Sequence, residues 1–456
     1  MRYRNNRNST RYIRKMMTGG VVAVMMTGML TGCNGASGLQ SSNDQTETSQ
    51  VSSSDDATAT SANTSNDNTE IKLATDSDTS TADANAITLK DGEDITIDKA
   101  GDYVITGSAT NSTIYVEAGD EDEVNITLAG ATITNDVAPC IYVKSADKVI
   151  INTSDTESTL TVSGTFEADG DTNLDAVIFS KDDLDIEGSG TLNITSSDNA
   201  ISCKDTLTVN SGTLNINCSG SALEAHDEIE ITDGIINVES CNDGLHAEDS
   251  DDDTIGAILI SGGTINITAA DDAIHATTTL QIDGGDLTLN GAECLEGTVI
   301  TVNDGNVNIN ASDDGINAAA KSGSYTPSFE MNGGNVTISM GAGDTDGVDS
   351  NGNITINGGT LDITGQSTFD YDGTATYNGG TIIENGTETN SISNQQFGGQ
   401  GGGMMGGQGG MMDGQGGMMG GQGDMMNDQG EMHGPRMNGD RTPPERPAEF
   451  NEETTE

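Results

Sequence analysis

The chain has 456 residues, 73 acidic against 17 basic ones, a formal net charge of −56, 3% aromatic residues and no Trp. Such a charge excludes direct binding of nucleic acid, whose phosphates need Lys and Arg, and disfavours docking on anionic lipid. It suits a surface protein or one that collects cations, and a hydrophobic content of 33% leaves little for a thick core.

Residues 1–32 read as a signal peptide. A segment rich in Arg precedes Met16–Leu30, an apolar run too short to span a bilayer, which takes ~20 residues. The run ends in Leu30-Thr31-Gly32-Cys33, which resembles a bacterial lipobox. This implies acylation of Cys33, a lipid anchor as the only membrane contact, and display on the extracellular face of the cell membrane. A plain signal peptide with a chance Cys is the simpler alternative. Residues 33–86 are Ser, Thr, Asp, Asn and Ala with almost no large apolar residue, and are expected to form a disordered tether.

Residues 87–390 carry a repeat. Its clearest copy runs from Ile258 to Ala276: Ile258 and Ile260 alternate in a first run, Gly262-Gly263 turns, Ile265 and Ile267 form a second run, Asp271-Asp272 turns again, and Ile274 and Ala276 form a third. Alternation with period two predicts strands buried on one face. The copies register on Ile186, Val209, Ile231, Ile260, Ile282, Val302, Met331, Ile356 and Tyr377, at spacings of 20–29 residues. Three short strands in that range make one coil of a β-solenoid. The fold expected is all-β, a right-handed parallel β-helix of about ten or more coils, since parallel crossovers are overwhelmingly right-handed. Stacking puts each inward aliphatic on its counterpart ~4.8 Å away. The two longest spacings hold insertions, Glu248–Gly256 and Ala319–Ser328. A ladder of small residues is expected at Cys140, Ala176, Ala200, Ala222, Gly244, Ala273, Cys294, Gly315 and Gly347. The five cysteines after Cys33 show no CxxC spacing and are odd in number, so they read as buried small packers.

The corner before the third strand is acidic: Asp175, Asn199, Asp243, Asp272, Glu293, Asp314 and Asp346, often preceded by a further polar residue such as Asp271 or Asp313. Stacked carboxylates repel, and Ca²⁺ takes 6–8 hard oxygens at ~2.3–2.6 Å, so the aligned set is a candidate calcium ladder. The plainer reading is that Asp and Asn favour turns. Asp169, Asp171, Asn173 and Asp175 resemble the start of a calcium loop, but Leu174 stands where an EF-hand needs Gly. Glu248, Asp249 and Asp251–Asp253 form an acidic insertion, a site or merely a solvated loop. The outward ladder on the third strand reads Ser202, Glu224, His246, His275, Glu296, Asn317 and Asp349, and with Lys181 and Lys204 it is the candidate sugar-contacting face. His246 and His275, with Asp243 and Asp272, could hold a transition metal; two surface His sharing a ladder is the simpler view. Residues 391–456 are low-complexity, with Met-Met pairs at Met404, Met411, Met418 and Met425, and read as a disordered tail, with Cu(I) capture as the less simple alternative.

Ile114-Tyr-Val-Glu-Ala-Gly-Asp-Glu-Asp, Ile141-Tyr-Val-Lys-Ser-Ala-Asp-Lys-Val, Phe179-Ser-Lys-Asp-Asp-Leu and the Asp-Asp-Ala-Ile rungs resemble a bacterial family of surface carbohydrate-binding β-helices first described in a cellulolytic clostridium. The resemblance covers nearly all of residues 87–390. It implies a pectate-lyase-like parallel β-helix, bound Ca²⁺, and binding of cellulose and acidic pectic polymers of the plant cell wall without catalysis, by a monomer. The family's Lys-Asp corner pair survives at Lys181-Asp182 and Lys204-Asp205 and is lost on later coils. No catalytic residue is assigned. Two other readings stand beside the binder. A pectate lyase needs a base beside calcium, and residues 87–390 hold seven Lys and no Arg. A calcium-stabilised adhesive stalk would bind no particular sugar.

Overall fold

The computed structural model describes residues 84–342 and 345–395. Cys33, the segment expected as a signal peptide, the Met-Met pairs and nearly all of the expected tether lie outside the described residues, while Asn85 and Ala86, counted with the tether, open the first strand. Among the described residues every regular element is a strand, from Asn85–Thr88 to Thr387–Thr389.

The inward aliphatics make the strands, and the turn residues between them set their length. Each coil has three strands, and we name their faces A, B and C. In one coil Ile274–Ile282 supplies A and then B around a shallow corner, and Asp286–Gly291 supplies C. The next coil begins with Leu295–Val302, which pairs in parallel with Ile274–Ile282. Faces A and B therefore merge into a 23-stranded sheet, and face C is a 13-stranded sheet. Among the described residues the strands pair in parallel except for Thr387–Thr389, which closes face C antiparallel against Thr381–Glu384; an isolated antiparallel bridge joins Asp169 and Thr172. This is a parallel β-helix of more than ten coils.

The repeat register read from the sequence is the register of face B. Ile186 pairs with Val209, Val209 with Ile231, Ile231 with Ile260, Ile260 with Ile282, and the series continues through Val302, Met331 and Ile356 to Tyr377. These side chains down to Ile356 are almost fully buried and belong to one contiguous apolar cluster. Burying each Ile or Leu is worth ~1.5–3 kcal/mol relative to exposure, so a narrow column with few aromatics suffices. The turn from B to C is a stack of left-handed glycines, among them Gly263 (φ +90), Gly285 (φ +99) and Gly305 (φ +101), a conformation that residues with a Cβ resist.

The ladder of small residues needs one correction. Ala176 pairs with Asn199, so Val177 stands on the small-residue ladder opposite Ala200, and Asp175 lies one residue out of the acidic corner. The other members keep their places. Gly315 shows why the ladder is small: a Cβ there would meet the Gly347 carbonyl at 2.5 Å and Ile338 Cγ2 at 2.6 Å. Cys140, Cys203, Cys218, Cys241 and Cys294 are free and buried. Burial pushes the Cys140 thiol up to about 12, which keeps it protonated and unreactive.

Candidate functional site

The insertions and the acidic corners converge on face A. Its outward residues form one unbroken column: Tyr115, Tyr142, Phe179, Ser202, Glu224, His246, His275, Glu296, Asn317, Asp349 and Asp370 pair in succession. The sequence-predicted ladder from Ser202 to Asp349 is contained in it. Three zones follow one another along the column.

The first zone is aromatic. Tyr115 and Tyr142 tilt together at 5.9 Å, and Tyr142 meets Phe179 edge-on at 5.7 Å. Lys144 lies over Tyr115, Lys181 over Tyr142 and Lys204 over Phe179. Leu174 packs on Tyr142 and Phe179, so both rings are buried and offer no open stacking surface for sugar. The Leu174 segment is the one read as a calcium loop. Its Asp169 lies against Lys144 (3.5 Å) and the Tyr142 hydroxyl (3.4 Å). Asn173 donates to Asp175 (3.1 Å), and Lys181 donates to Thr172 (2.9 Å). Lys144 and Lys181 thus lie against this loop, and its Asp169, Asp171 and Asp175 are not among the described groups of three whose ligand atoms come within 4.8 Å of one another. Burial pushes the Asp175 carboxyl up to about 6 despite Lys204.

The second zone lies at the two insertions, which leave the same A–B corner and meet where the Gly323 amide donates to Asp253 (2.8 Å). Asn199 (2.6 Å), Ser202 (3.1 Å) and Lys204 (3.0 Å) all donate to Glu224. Burial opposes its charge, but Lys204 and Ser202 outweigh it and hold its carboxyl below the usual range. The rings of His246 and His275 stack with centroids 4.6 Å apart. His246 Nδ1 faces Asp243 (3.1 Å), and its Nε2 faces Glu248 (3.2 Å). His275 Nδ1 lies between Asp272 (2.9 Å) and Glu296 (2.6 Å), and Lys321 closes on the other Glu296 oxygen at 2.6 Å. Burial works against a charged ring, yet Asp272 and Glu296 raise His275 to about 9. Among the described residues two triads bring ligand atoms within 4.8 Å of one another: His246, Glu248 and His275; and Asp272, His275 and Glu296.

The third zone is acidic, and Lys321 reaches only its first rung, at Glu293. Asn317 donates to Glu293 (2.8 Å), while its own Oδ1 is buried without a hydrogen-bond partner, as is Thr345 Oγ1. Burial, with the charges of Asp349, Asp313 and Asp346, pushes Asp314 up to about 7. Burial and Asp370 push Asp349 up to about 6. Burial also raises Glu293. These acids stand on neighbouring rungs but do not converge within 4.8 Å as the two triads do. Asn317 Oδ1 and Thr345 Oγ1 thus lie without partners beside carboxyl groups that burial holds above their usual range. Asp271 and Asp313 stand one residue before the corner, on its outer side, and are exposed.

Sequence reasoning missed two sets of residues. Lys321 reaches the column from an insertion, which carries no periodicity to read, as does Glu248, which the sequence offered only as part of an acidic insertion. Asparagine ladders brace other parts of the helix. Asn303, Asn332, Asn357 and Asn378 each donate to the preceding rung at 2.7–2.8 Å, beginning at Asp283. On face C, Asn215, Asn237 and Asn266 do the same above Asn193 at 2.9–3.0 Å and line a shallow groove of about 420 Å³. The signal was present: an amide or carboxylate follows the registered aliphatic at Asp283, Asn303, Asn332, Asn357 and Asn378.

The chain is similar to known proteins. A protein of Acetivibrio thermocellus described as carbohydrate-binding domain-containing is 30% identical over 181 residues, 39% of this chain and 56% of that protein. The match thus spans little more than half of the relative's length. A solved structure described as the polysaccharide lyase-like protein from C. thermocellum, a gadolinium derivative, is 27% identical, with a TM-score of 0.43 over 49% of this chain and 93% of that one. The profile of the family described as carbohydrate-binding domain-containing proteins matches residues 91–344, more than half of the sequence, and the chain belongs to that family.

Proposed function

We propose that this protein binds polysaccharide without cleaving it, and that acidic pectic polymers of the plant cell wall lie along the outer column of face A, bridged to it by Ca²⁺. The observation that carries this reading is the third zone of the column. Burial holds the Asp314, Asp349 and Glu293 carboxyl groups above their usual range, and the Asn317 oxygen beside them has no donor. Calcium would supply the missing positive charge and leave coordination positions for the carboxylates of a uronate chain. Asp314, Asn317, Asp346 and Asp349 would hold it. A direct contact is disfavoured, because a chain of net charge −56 repels a polyanion. Cellulose, which is neutral, would rely on the hydroxyl-rich and amide-rich rungs instead.

The lysines support binding over lysis. Lys144 is held by Glu117 and Asp169, Lys204 by Glu224, Lys321 by Glu296, and Lys181 donates to Thr172 over the Tyr142 ring. A lyase base must accept a proton; burial opposes the charge on Lys144 and Lys321, but Glu117 and Glu296 outweigh it and raise both. On this reading acylated Cys33 displays the domain outside the cell.

A glycan array run with Ca²⁺ and with EDTA tests the proposal. Retention of polygalacturonate in calcium and its loss in EDTA are expected. Binding to no glycan would favour an adhesive stalk. Release of unsaturated uronate from pectate would make the protein a lyase.

A further inference from the structure

The stacked imidazoles in the second zone have a chemistry that the calcium reading does not use. Each ring turns its Nδ1 edge to an Asp three residues earlier on its own rung, His246 to Asp243 and His275 to Asp272. Once its Nε2 proton is displaced, a ring that donates from Nδ1 to a carboxylate presents a lone pair at Nε2. Both Nε2 atoms look toward one carboxylate oxygen, Glu248 Oε2, at 3.2 and 3.6 Å. A proton on each Nε2 bridges these contacts, as a hydrogen bond at His246, and a metal ion that displaces those protons meets two nitrogens and an oxygen within 4.8 Å of one another.

The dimensions select the cation. Bonds of about 2.0–2.1 Å from a tetrahedral ion to His nitrogen and carboxylate oxygen place neighbouring ligand atoms roughly 3.3 Å apart. The two Nε2-to-Oε2 separations bracket that figure. Imidazole nitrogen suits Zn²⁺ and its neighbours in the first transition row, whereas Ca²⁺ takes oxygen. The other triad, Asp272, His275 and Glu296, is the orienting half. Its contact is at Nδ1, and Lys321 already neutralises Glu296. Asp243 is fixed in turn by the Asn242 side chain (3.1 Å) and the Asp272 amide (3.2 Å). Carboxylates braced in this way behind the ligating rings are the usual support of a metal-bound His.

We propose that His246 Nε2, His275 Nε2 and Glu248 bind a Zn²⁺-class transition metal, with a fourth position left open for water or a ligand oxygen. Glu248 comes from the first insertion, so the metal would pin that insertion to face A. The site is separate from the calcium zone and stands whether or not calcium binds there.

Equilibrium dialysis of the full-length, chelator-stripped chain against Zn²⁺ in millimolar Ca²⁺, read by elemental analysis, tests the assignment. One Zn²⁺ per chain is expected, and Co²⁺ in its place should show the intense visible bands of four-coordination. The variant H246Q/H275Q should lose the ion. Asp243→Asn should weaken it about 10–100-fold by freeing the ring it orients. His226→Gln, whose ring faces Asp249 instead, should bind as the parent does. If the double variant fails to fold, Glu248→Gln on the exposed insertion decides the matter, because that side chain carries no core packing. Absence of bound Zn²⁺ in the parent, or its retention in folded H246Q/H275Q or in Glu248→Gln, would overturn the assignment.

Discussion

Replacing Asp314 by Asn should stabilise the calcium-free protein while weakening its response to calcium. The folded carboxyl keeps its proton to about pH 7, whereas the unfolded one loses it near 3.8. A raised carboxylate pKa means that stability is full below the unfolded value and is lost as the pH climbs through the folded one. Over that interval, at 1.36 kcal/mol per pH unit, the cost reaches at most ~4 kcal/mol. Solvent reaches part of the side chain, and screening brings the figure to ~2 kcal/mol. Asn keeps an oxygen for the Asp346 amide, which donates to Asp314 at 3.1 Å. At pH 8 in EDTA the variant should therefore melt roughly 4–8 °C above the parent, on the scale of 2–4 °C per kcal/mol for a domain of this order of size. Added Ca²⁺ should raise the parent's melting temperature and raise the variant's less. Differential scanning calorimetry decides. A variant that melts at or below the parent in EDTA, with an undiminished calcium shift, would refute the electrostatic reading of the third zone.

Three further outcomes are expected. Gly315→Ala drives a Cβ into the Gly347 carbonyl and Ile338, and should lower stability by about 1–3 kcal/mol in a denaturant titration. Asn332→Ala breaks two rungs of the asparagine ladder and should cost about 1–3 kcal/mol, measured the same way, with glycan binding unchanged. Leu174→Ala uncovers Tyr142 and Phe179, so acrylamide should quench tyrosine fluorescence more strongly than in the parent.

The fold was legible because a solenoid writes its register into every coil. The aliphatics from Ile186 to Tyr377 pair as their spacing predicts, and Glu248–Gly256 and Ala319–Pro327 loop out as insertions, with Ser328 already opening the next strand. The one slip came at Asp175-Ala176-Val177-Ile178-Phe179, where five residues offer no alternation to choose between two registers. The slip hid the continuity of the column from Ser202 back through Phe179 to Tyr115. The outward ladder was legible as a list of residues but not as chemistry. Whether His246 faces solvent or Glu248 depends on how an aperiodic insertion folds back, and the spacing of rungs says nothing of that. The same holds for Lys321, which neutralises Glu296 from the second insertion.

The most direct measurement is the affinity of the full chain for polygalacturonate as a function of free Ca²⁺, by isothermal titration calorimetry on the parent and on D314N/D349N. The parent should bind only with calcium present, and the variant should lose most of that affinity while remaining folded. Binding of equal strength in EDTA, or in the folded variant, would contradict calcium-bridged recognition along face A.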